Sequence, residues 1–451
     1  MTPPVPVFAG GVLVHLSELK TCFERTLEVN DAVPTRDNWV SDPLLERFLR
    51  YARIDTQSDE ASADAPSTAR QLVLAEMLKG ELQALGLEAD IGRGGIVYAH
   101  VPATAGAESA PAIGFIAHMD TSPDAPGANV KPQVLRYAGG DVVLNAEKGI
   151  VLSVERFPEL KRYSGEQVVF TDGTTLLGAD DKAGIAAIMG MLDHLREHPE
   201  IPHAKLSIAF TPDEEVGRGT ENFDHARFGA AYAYTFDGGE LGELESENFN
   251  AASALVTIRG VGVHPGSAKG KMVNALRLAA KFIARLPMAM SPERTEAREG
   301  FIHPNNLEGT VVEAKLHLLV RDHDREAFEE KKAFLRSLVK ELNAECPQAE
   351  ATVEIRDSYE NMRAYIDRAP KVLELAREAF RRAGVTPVET PIRGGTDGAK
   401  LSAEGLPCPN IFTGGLNYHG IYECLPVASL LKARDVAVAL AALSADVQSL
   451  D

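Results

Sequence analysis

The sequence predicts an α/β fold in which a mostly parallel sheet is flanked by helices and a second, ferredoxin-like α+β domain is inserted. Three observations predict it. Apolar strand-like runs alternate with amphipathic helix-like runs over most of the chain, which is typical of layered α/β proteins. Near residue 251 the order becomes β-α-β-β-α-β and near 361 the alternation resumes, and that order is the split βαβ arrangement of ferredoxin-like domains. Acidic residues and histidines follow several of the strand-like runs.

The elements of the larger domain are predicted from apolar periodicity and from glycine or proline stops. Helices are expected at residues 42–54, 67–86, 180–198 and 371–384 and after Pro426, and strands at 95–101, 112–118, 205–211, 231–237 and 410–413. In the inserted domain, strands are expected at 252–262 and 351–358 with two more inside 307–322, and helices at 274–286 and 324–343.

These elements predict three parts of the chain. Residues 1–43 are a proline-rich extension of unknown role that contains the only tryptophan, Trp39. Residues 44–250 and 361–451 form the larger domain. Residues 251–360 form the inserted domain, which by analogy with other inserted domains of this type is expected to act as a lid and to pair two subunits.

Composition limits the possible partners and the compartment. The 451 residues carry a net charge of −19, which disfavours nucleic acids and anionic membranes because phosphates would be repelled. The four cysteines show no CxxC spacing, so neither a disulfide framework nor a thiolate metal site is indicated. The apolar stretch near the start is too short to span a bilayer and lacks a preceding basic residue, so it is a poor signal peptide. We expect a cytoplasmic protein.

The stretch AFTPDEEVGRG, residues 209–219, places three carboxylates directly after a buried strand. Adjacent carboxylates at such a position repel one another and are costly to desolvate, so a positive partner is expected. Neighbouring strands also end in polar residues, with His118 and Asp120 after one and Asp237 after another. In open α/β sheets ligands bind beyond the carboxyl ends of the strands.

Two further groups belong with these strand ends: Asp180, which begins a helix, and His419, in a glycine-rich loop after a strand. Taken singly, each has a simpler structural explanation, such as an N-cap for Asp180 or a turn residue for Asp237. Their shared placement instead favours one site. Its nitrogen and oxygen donors, without sulfur, suit zinc, cobalt or manganese.

Several motifs resemble the peptidase T family, the tripeptide aminopeptidase branch of the dinuclear-zinc exopeptidases. They are HMDTS, TTLLGADDKAG, AFTPDEEVG, FDGGELGELESENFNAAS, HPGSAKGKMVNAL, PIRGGTDGAKLS and PCPNIFTGGLNYHG, in unbroken order over roughly residues 44–445. The resemblance implies a zinc-exopeptidase-like catalytic domain, and two Zn²⁺ per subunit, with Co²⁺ or Mn²⁺ as alternatives.

The resemblance also implies roles. The metal ligands would be His118, Asp180, Glu215, Asp237 and His419, with Asp180 bridging. Asp120 would orient a ligating imidazole. Glu214 would activate a metal-bridging water as general base, its side chain leaving an extended segment on the side opposite to Glu215.

For substrate binding, the resemblance implies that His264 contacts the tetrahedral oxyanion, and that guanidinium groups hold the peptide's terminal carboxylate. The guanidinium groups are those of Arg321 and Arg393, and Asn274 and Asn417 are expected as further polar contacts. Glycine pairs at 394–395 and 414–415 are expected to let backbone approach the site.

The function implied is the removal of the N-terminal residue of tripeptides, with a short peptide as the only partner besides a second subunit. A related dinuclear-zinc amidohydrolase is the first alternative: a carboxypeptidase, a dipeptidase or an N-acyl-amino-acid deacylase. A metal- or peptide-binding protein without catalysis is the second, and it has no need of a base such as Glu214.

Overall fold

The computed structural model describes residues 42–450. Most of the proline-rich extension, Trp39 included, therefore lies outside the described residues. Helices span Pro43–Ala52 (α1), Gln71–Ala84 (α2), Ala179–Glu197 (α3), His225–Phe228 (α4), Ala275–Ile283 (α5), Arg325–Glu345 (α6), Arg363–Ile366 (α7), Pro370–Arg382 (α8), Asp397–Ala403 (α9) and Val427–Ser444 (α10). Strands span Ala89–Ile91 (β1), Val97–Val101 (β2), Ile113–His118 (β3), Gln133–Arg136 (β4), Val142–Asn145 (β5), Ile150–Leu152 (β6), Gln167–Phe170 (β7), Leu206–Thr211 (β8), Tyr232–Gly238 (β9), Glu243–Glu245 (β10), Asn250–Arg259 (β11), Phe301–Gly309 (β12), Glu313–Asp322 (β13), Glu350–Tyr359 (β14), Val388–Glu389 (β15), Asn410–Phe412 (β16) and Cys424–Pro426 (β17).

The main sheet has eight strands in the order β1-β2-β8-β3-β9-β16-β10-β15. Its central strands β8, β3, β9 and β16 are parallel neighbours, whereas β1, β2 and β10 pair antiparallel beside them. The sheet is therefore mixed, with the expected parallel pairing confined mainly to its centre. All carboxyl ends of the central strands meet at one edge.

The central strands are apolar throughout because both faces of the sheet are covered. All six residues of β3 and all six of β8 are buried, as expected for parallel strands between helix layers. Helix α3 is apolar over most of its surface and packs in the same core, together with α1, α8 and α10.

The inserted domain has its own sheet, β12-β13-β11-β14, in which every neighbouring pair is antiparallel. Helices α5 and α6 pack against this sheet and form a second apolar core with it. In α6, Phe328, Leu335 and Leu342 recur at helical spacing and are buried. Asp324 caps the helix, because its side chain accepts a hydrogen bond of 2.8 Å from the backbone N–H of Ala327. The predicted α/β fold with a ferredoxin-like insertion is confirmed.

Short strands between residues 133 and 170 were not predicted from the sequence. Of these, β4 and β7 form a three-stranded sheet with the equally short β17, in the order β17-β7-β4, and β5 and β6 form a hairpin. Each has only three or four residues, too few for a periodic pattern to be recognised. Within residues 42–450, no helix combines the length and the apolar character needed to span a bilayer.

Candidate active site

The site lies at the edge where the central parallel strands end. His118 is the last residue of β3, Asp237 lies near the end of β9, and Glu215 follows β8 by four residues. Asp180 comes from the first turn of α3 and His419 from the loop between β16 and β17. We call these five residues the His–carboxylate cluster. The parallel register brings the strand ends together, as predicted.

The Asp180 carboxylate lies between the two histidines of the cluster. Its Oδ1 is 2.8 Å from Nε2 of His118 and its Oδ2 is 3.3 Å from Nε2 of His419. Nε2 of His118 is also 3.3 Å from Oδ1 of Asp237, and Nε2 of His419 is 2.9 Å from Oε2 of Glu215. The Asp180 carboxylate therefore lies between two pairs of side chains, His118 with Asp237 and His419 with Glu215.

Asp120 connects both sides of the cluster although it is fully buried. Its Oδ1 is 3.3 Å from Nδ1 of His118. The same carboxylate accepts the backbone N–H of Glu214 at 2.9 Å and that of Glu215 at 3.2 Å. The side chain thus orients the imidazole and, in addition, holds the turn that carries both glutamates.

The three consecutive carboxylates after β8 do not share the same contacts. Asp213 has φ 58° and accepts hydrogen bonds from the backbone N–H of Ser67 at 2.7 Å and from Nε2 of Gln71 at 2.7 Å. The backbone N–H groups of residues 217 and 218 then bond back to residues 214 and 213. The vicinal glutamates therefore lie on a turn, and the expectation of an extended segment was wrong, because Asp213 in a left-handed conformation bends the chain.

The charges of the cluster shift the pKa values of its members. Burial opposes the charge of His118, but Asp237 and its other acidic neighbours outweigh that effect and raise the pKa well above its usual range. Hydrogen bonds to Asp180 and Glu215 raise the pKa of His419 to about 11. Burial, reinforced by neighbouring acids, raises the pKa of Glu215 to about 8 and that of Glu214 well above its usual range. The cluster thus carries more negative charge than its two histidines balance.

A family model described as peptidase family M20/M25/M40 matches residues 176–443. The chain is 51% identical over 403 residues to a peptidase T of Parabacteroides distasonis, an alignment that covers 89% of this chain and 99% of the relative.

The chain belongs to peptidase family M20.

Solved structures agree with this M20 assignment at the level of fold. A tripeptidase from Staphylococcus aureus superposes with a TM-score of 0.71 at 23% identity, covering 89% of this chain and 98% of its own. A dinuclear metal-binding M20 peptidase from Bacillus subtilis gives a TM-score of 0.61 at 16% identity, with 89% and 97% covered.

The nitrogen and oxygen atoms of the cluster lie close enough together to bind a metal ion. Ligand atoms of His118, Asp180 and Glu215 lie within 4.8 Å of one another, as do those of His118, Asp181 and Asp237. Oε1 of Glu215 is buried without a hydrogen-bond partner among the described residues. Because Nδ1 of His118 faces Asp120, Nε2 of the same ring faces Asp180 and Asp237. A nitrogen and oxygen donor set with surplus negative charge fits divalent cations.

The predicted substrate-binding residues are not part of the cluster in this structure. His264 is exposed, and its Nδ1 accepts the backbone N–H of Gly266 at 3.1 Å. Asn274 caps α5 by accepting the backbone N–H of Leu276 at 3.0 Å, and the side chain of Asn417 donates to a carbonyl of its own loop at 3.2 Å. Their hydrogen bonds in the described chain are local.

The two arginines lie where the inserted domain meets the catalytic domain. Arg393 donates to the carbonyls of Ala297 and Glu299 at 2.8 and 3.0 Å and to Oγ1 of Thr295 at 2.8 Å. Arg321 donates to the carbonyl of Ala252 at 3.0 Å and lies over the Tyr359 ring at 5.5 Å. The carboxylate-binding roles of both arginines stay predictions.

Sequence reasoning missed four buried charged groups around the cluster: Asp181, Lys182, Asp397 and Glu423. Asp181 accepts the backbone N–H of His118 at 3.0 Å and that of Gly184 at 3.1 Å. Asp397 accepts from Oγ1 of Thr211 at 2.8 Å. A charged residue inside an apolar run, as in YECLP around Glu423, is a signal that could have found that carboxylate.

One glycine of each predicted pair packs against an aromatic ring. A Cβ on Gly395 would lie 2.6 Å from the Tyr359 ring, and Gly415 packs in the same way against the Tyr418 ring. The bare backbone at Gly395 and Gly415 thus admits aromatic side chains of the protein itself, and the expectation that the glycine pairs let backbone approach the site stays a prediction.

Proposed function

We propose that this chain is a metal-dependent aminopeptidase that removes the N-terminal residue of tripeptides. The observation that carries the proposal is the Asp180 carboxylate spanning Nε2 of His118 and Nε2 of His419 beside the glutamate pair 214–215. The peptidase T relative at 51% identity supports the substrate class.

The cluster would hold two divalent cations, for which we propose Zn²⁺, with Co²⁺ or Mn²⁺ as substitutes. Asp180 would bridge them; His118 and Asp237 would hold one ion, and Glu215 and His419 the other. When bound, such ions polarise the scissile carbonyl and lower the pKa of a water molecule to about 7. Asp181 is left out of the proposed ligand set because both of its oxygens already accept backbone N–H groups.

Glu214 would move the proton of the reaction. Its backbone N–H is fixed by Asp120, so the backbone from which the side chain starts is held beside the cluster. Glu214 takes a proton from the attacking water and then donates it to the leaving amine, as one carboxylate can do for both steps. Asp120 positions Glu214, Glu215 and the His118 ring together.

Residues of the inserted domain and its junction would bind the substrate. His264 would donate to the developing oxyanion, and Arg321 and Arg393 would hold the terminal carboxylate of the peptide, with Asn274 and Asn417 as polar contacts. A carboxylate held at a fixed distance from the cluster would select peptides by length, because guanidinium groups bind carboxylates with defined geometry.

Product analysis on matched peptides tests this function. The purified protein, loaded with zinc, is incubated with di-, tri- and tetrapeptides that carry free or acetylated N-termini. We expect the free tripeptide to be cleaved fastest, to a single amino acid and a dipeptide, and a chelator to abolish cleavage. Equal rates on the acetylated tripeptide would contradict an aminopeptidase and favour the related N-acyl-amino-acid deacylases.

Two further expectations accompany the function. A homodimer formed through the inserted domain and a cytoplasmic location both stay predictions from the sequence. Sedimentation of the purified protein tests the first, and fractionation of the source cells tests the second.

A further inference from the structure

Glu423 is a buried carboxylate that has no part in the function proposed above. It is 2% exposed and accepts three backbone N–H groups. Oε2 accepts those of Leu177 at 2.7 Å and Gly178 at 2.8 Å, and Oε1 accepts that of Asp180 at 3.1 Å. The turn at 177–180 therefore depends on one side chain that lies about 240 positions further along the chain.

The same residue stands at the base of the loop that carries His419. Residues Leu416 and Cys424 close this loop by exchanging two backbone hydrogen bonds of 2.9 and 3.0 Å. Glu423 adjoins that closure, and its own backbone N–H bonds the carbonyl of Gly420 at 3.2 Å. Strand β17 then pairs with β7, with Cys424 opposite Phe170, so the loop and the strand that leads to the 177–180 turn are held side by side.

A buried lysine lies within the electrostatic influence of Glu423. Lys182 is 1% exposed, and its Nζ donates to the carbonyl of Ile54 at 2.7 Å. Burial lowers the pKa of Lys182 to about 8, against the opposing charges of Glu423, Asp55 and Asp120. The lysine thus lies near both carboxylates that hold ligand-bearing turns. Asp120 holds the turn at 214–215, and Glu423 holds the turn at 177–180.

We propose that Glu423 is a positioning residue that fixes Asp180 against His419, and so sets the affinity of the cluster for its metal ions. The inference rests on the metal-binding part of the proposed function. Its physical reason is that a bridging carboxylate must present both oxygens at once, so a small rotation of the 177–180 backbone removes one of them. Outer partners that orient ligands typically change metal affinity by about 10- to 100-fold when they are replaced.

Glu423→Gln removes one acceptor while it keeps the size of the side chain. An amide has one acceptor oxygen, so its NH₂ must face the backbone N–H of either Asp180 or the Leu177–Gly178 pair. We expect the dissociation constant for Zn²⁺ or Co²⁺, measured by competition with a chromophoric chelator, to rise about 10- to 100-fold for at least one ion. At saturating metal, kcat on a free tripeptide falls while KM is unchanged, because the peptide does not touch Glu423.

Glu81→Gln is the matched control. Glu81 also accepts three donors, from Arg47 at 3.1 Å, Arg50 at 2.6 Å and Tyr51 at 2.7 Å, but it joins α1 to α2 away from the cluster. We expect Glu81→Gln to lower the melting temperature and to leave both metal dissociation constants at the wild-type values. Wild-type metal affinity in Glu423→Gln would overturn the inference.

Glu423→Asp decides the matter if the glutamine variant does not fold. It keeps the carboxylate, but its side chain is one methylene shorter and cannot reach both sides of the turn. Wild-type metal affinity in this variant would likewise overturn the inference. A wild-type protein that binds two ions but cleaves no tripeptide would overturn the proposed function instead and leave the role of Glu423 intact.

Discussion

The crevice at the strand ends and the inserted domain hold their predicted site residues in different ways. In the crevice, Asp180 lies within 3.3 Å of both histidines, His118 and His419. In the inserted domain, His264 and Asn274 make local hydrogen bonds only, as far as the described chain shows. The difference teaches that sheet register and buried hydrogen bonds bring the site residues of one domain together, whereas neither acts on His264 and Asn274 of the inserted domain.

Replacing the proposed base tests whether the crevice carries the chemistry. We expect Glu214→Ala to lower kcat by about 10²- to 10⁴-fold, the usual contribution of a positioned acid–base group. Metal content, measured by elemental analysis, is expected to be unchanged because the proposed ligand set does not include Glu214. A variant with near wild-type activity would show that another group moves the proton.

Replacing the histidine of the inserted domain tests whether the two regions act together. We expect His264→Ala to lower kcat by about 10²- to 10³-fold, the typical loss when one oxyanion donor is removed. His317→Ala is the matched control, since His317 is an exposed histidine on β13 of the same domain. Equal activity of the two variants would mean that His264 contributes no group to the reaction.

Asp120→Asn tests whether hydrogen bonds within the catalytic domain hold the geometry of the crevice. An amide cannot accept the two backbone N–H groups of residues 214 and 215 with both of its terminal atoms. We expect metal affinity to fall by about 10- to 100-fold, measured by chelator competition. Asp213→Asn loosens the same turn through Ser67 and Gln71 without touching His118, so an equal loss of affinity in this control would contradict the orienting role of Asp120.

The same contrast explains what the sequence could predict. The sequence predicted His118, Asp237 and the 213–215 run because each lies at the end of an apolar strand. Such a pattern is local, and parallel pairing of the strands then places these ends at one edge of the sheet. Glu423 was missed because its role depends on a contact with residues 177–180, far away in the chain. The left-handed conformation of Asp213 was also not predicted, since such a conformation at a non-glycine residue depends on partners, here Ser67 and Gln71, that the local sequence does not reveal.

The contact between Tyr359 and Gly395 is one of the places where the inserted domain touches the catalytic domain, and the smallest effect is expected there. Tyr359 ends β14 of the inserted domain, and a Cβ added at Gly395 would lie 2.6 Å from its ring. At the neighbouring Gly394 the nearest atom, in Ile392, is 3.9 Å away. We expect Gly395→Ala to lower the free energy of unfolding by about 1–3 kcal/mol, the usual cost of an overpacked contact, and Gly394→Ala to leave it nearly unchanged. Urea unfolding of the two variants measures the difference. Equal stabilities would mean that the Tyr359 ring moves aside freely, so that this contact does not fix the junction between the two domains.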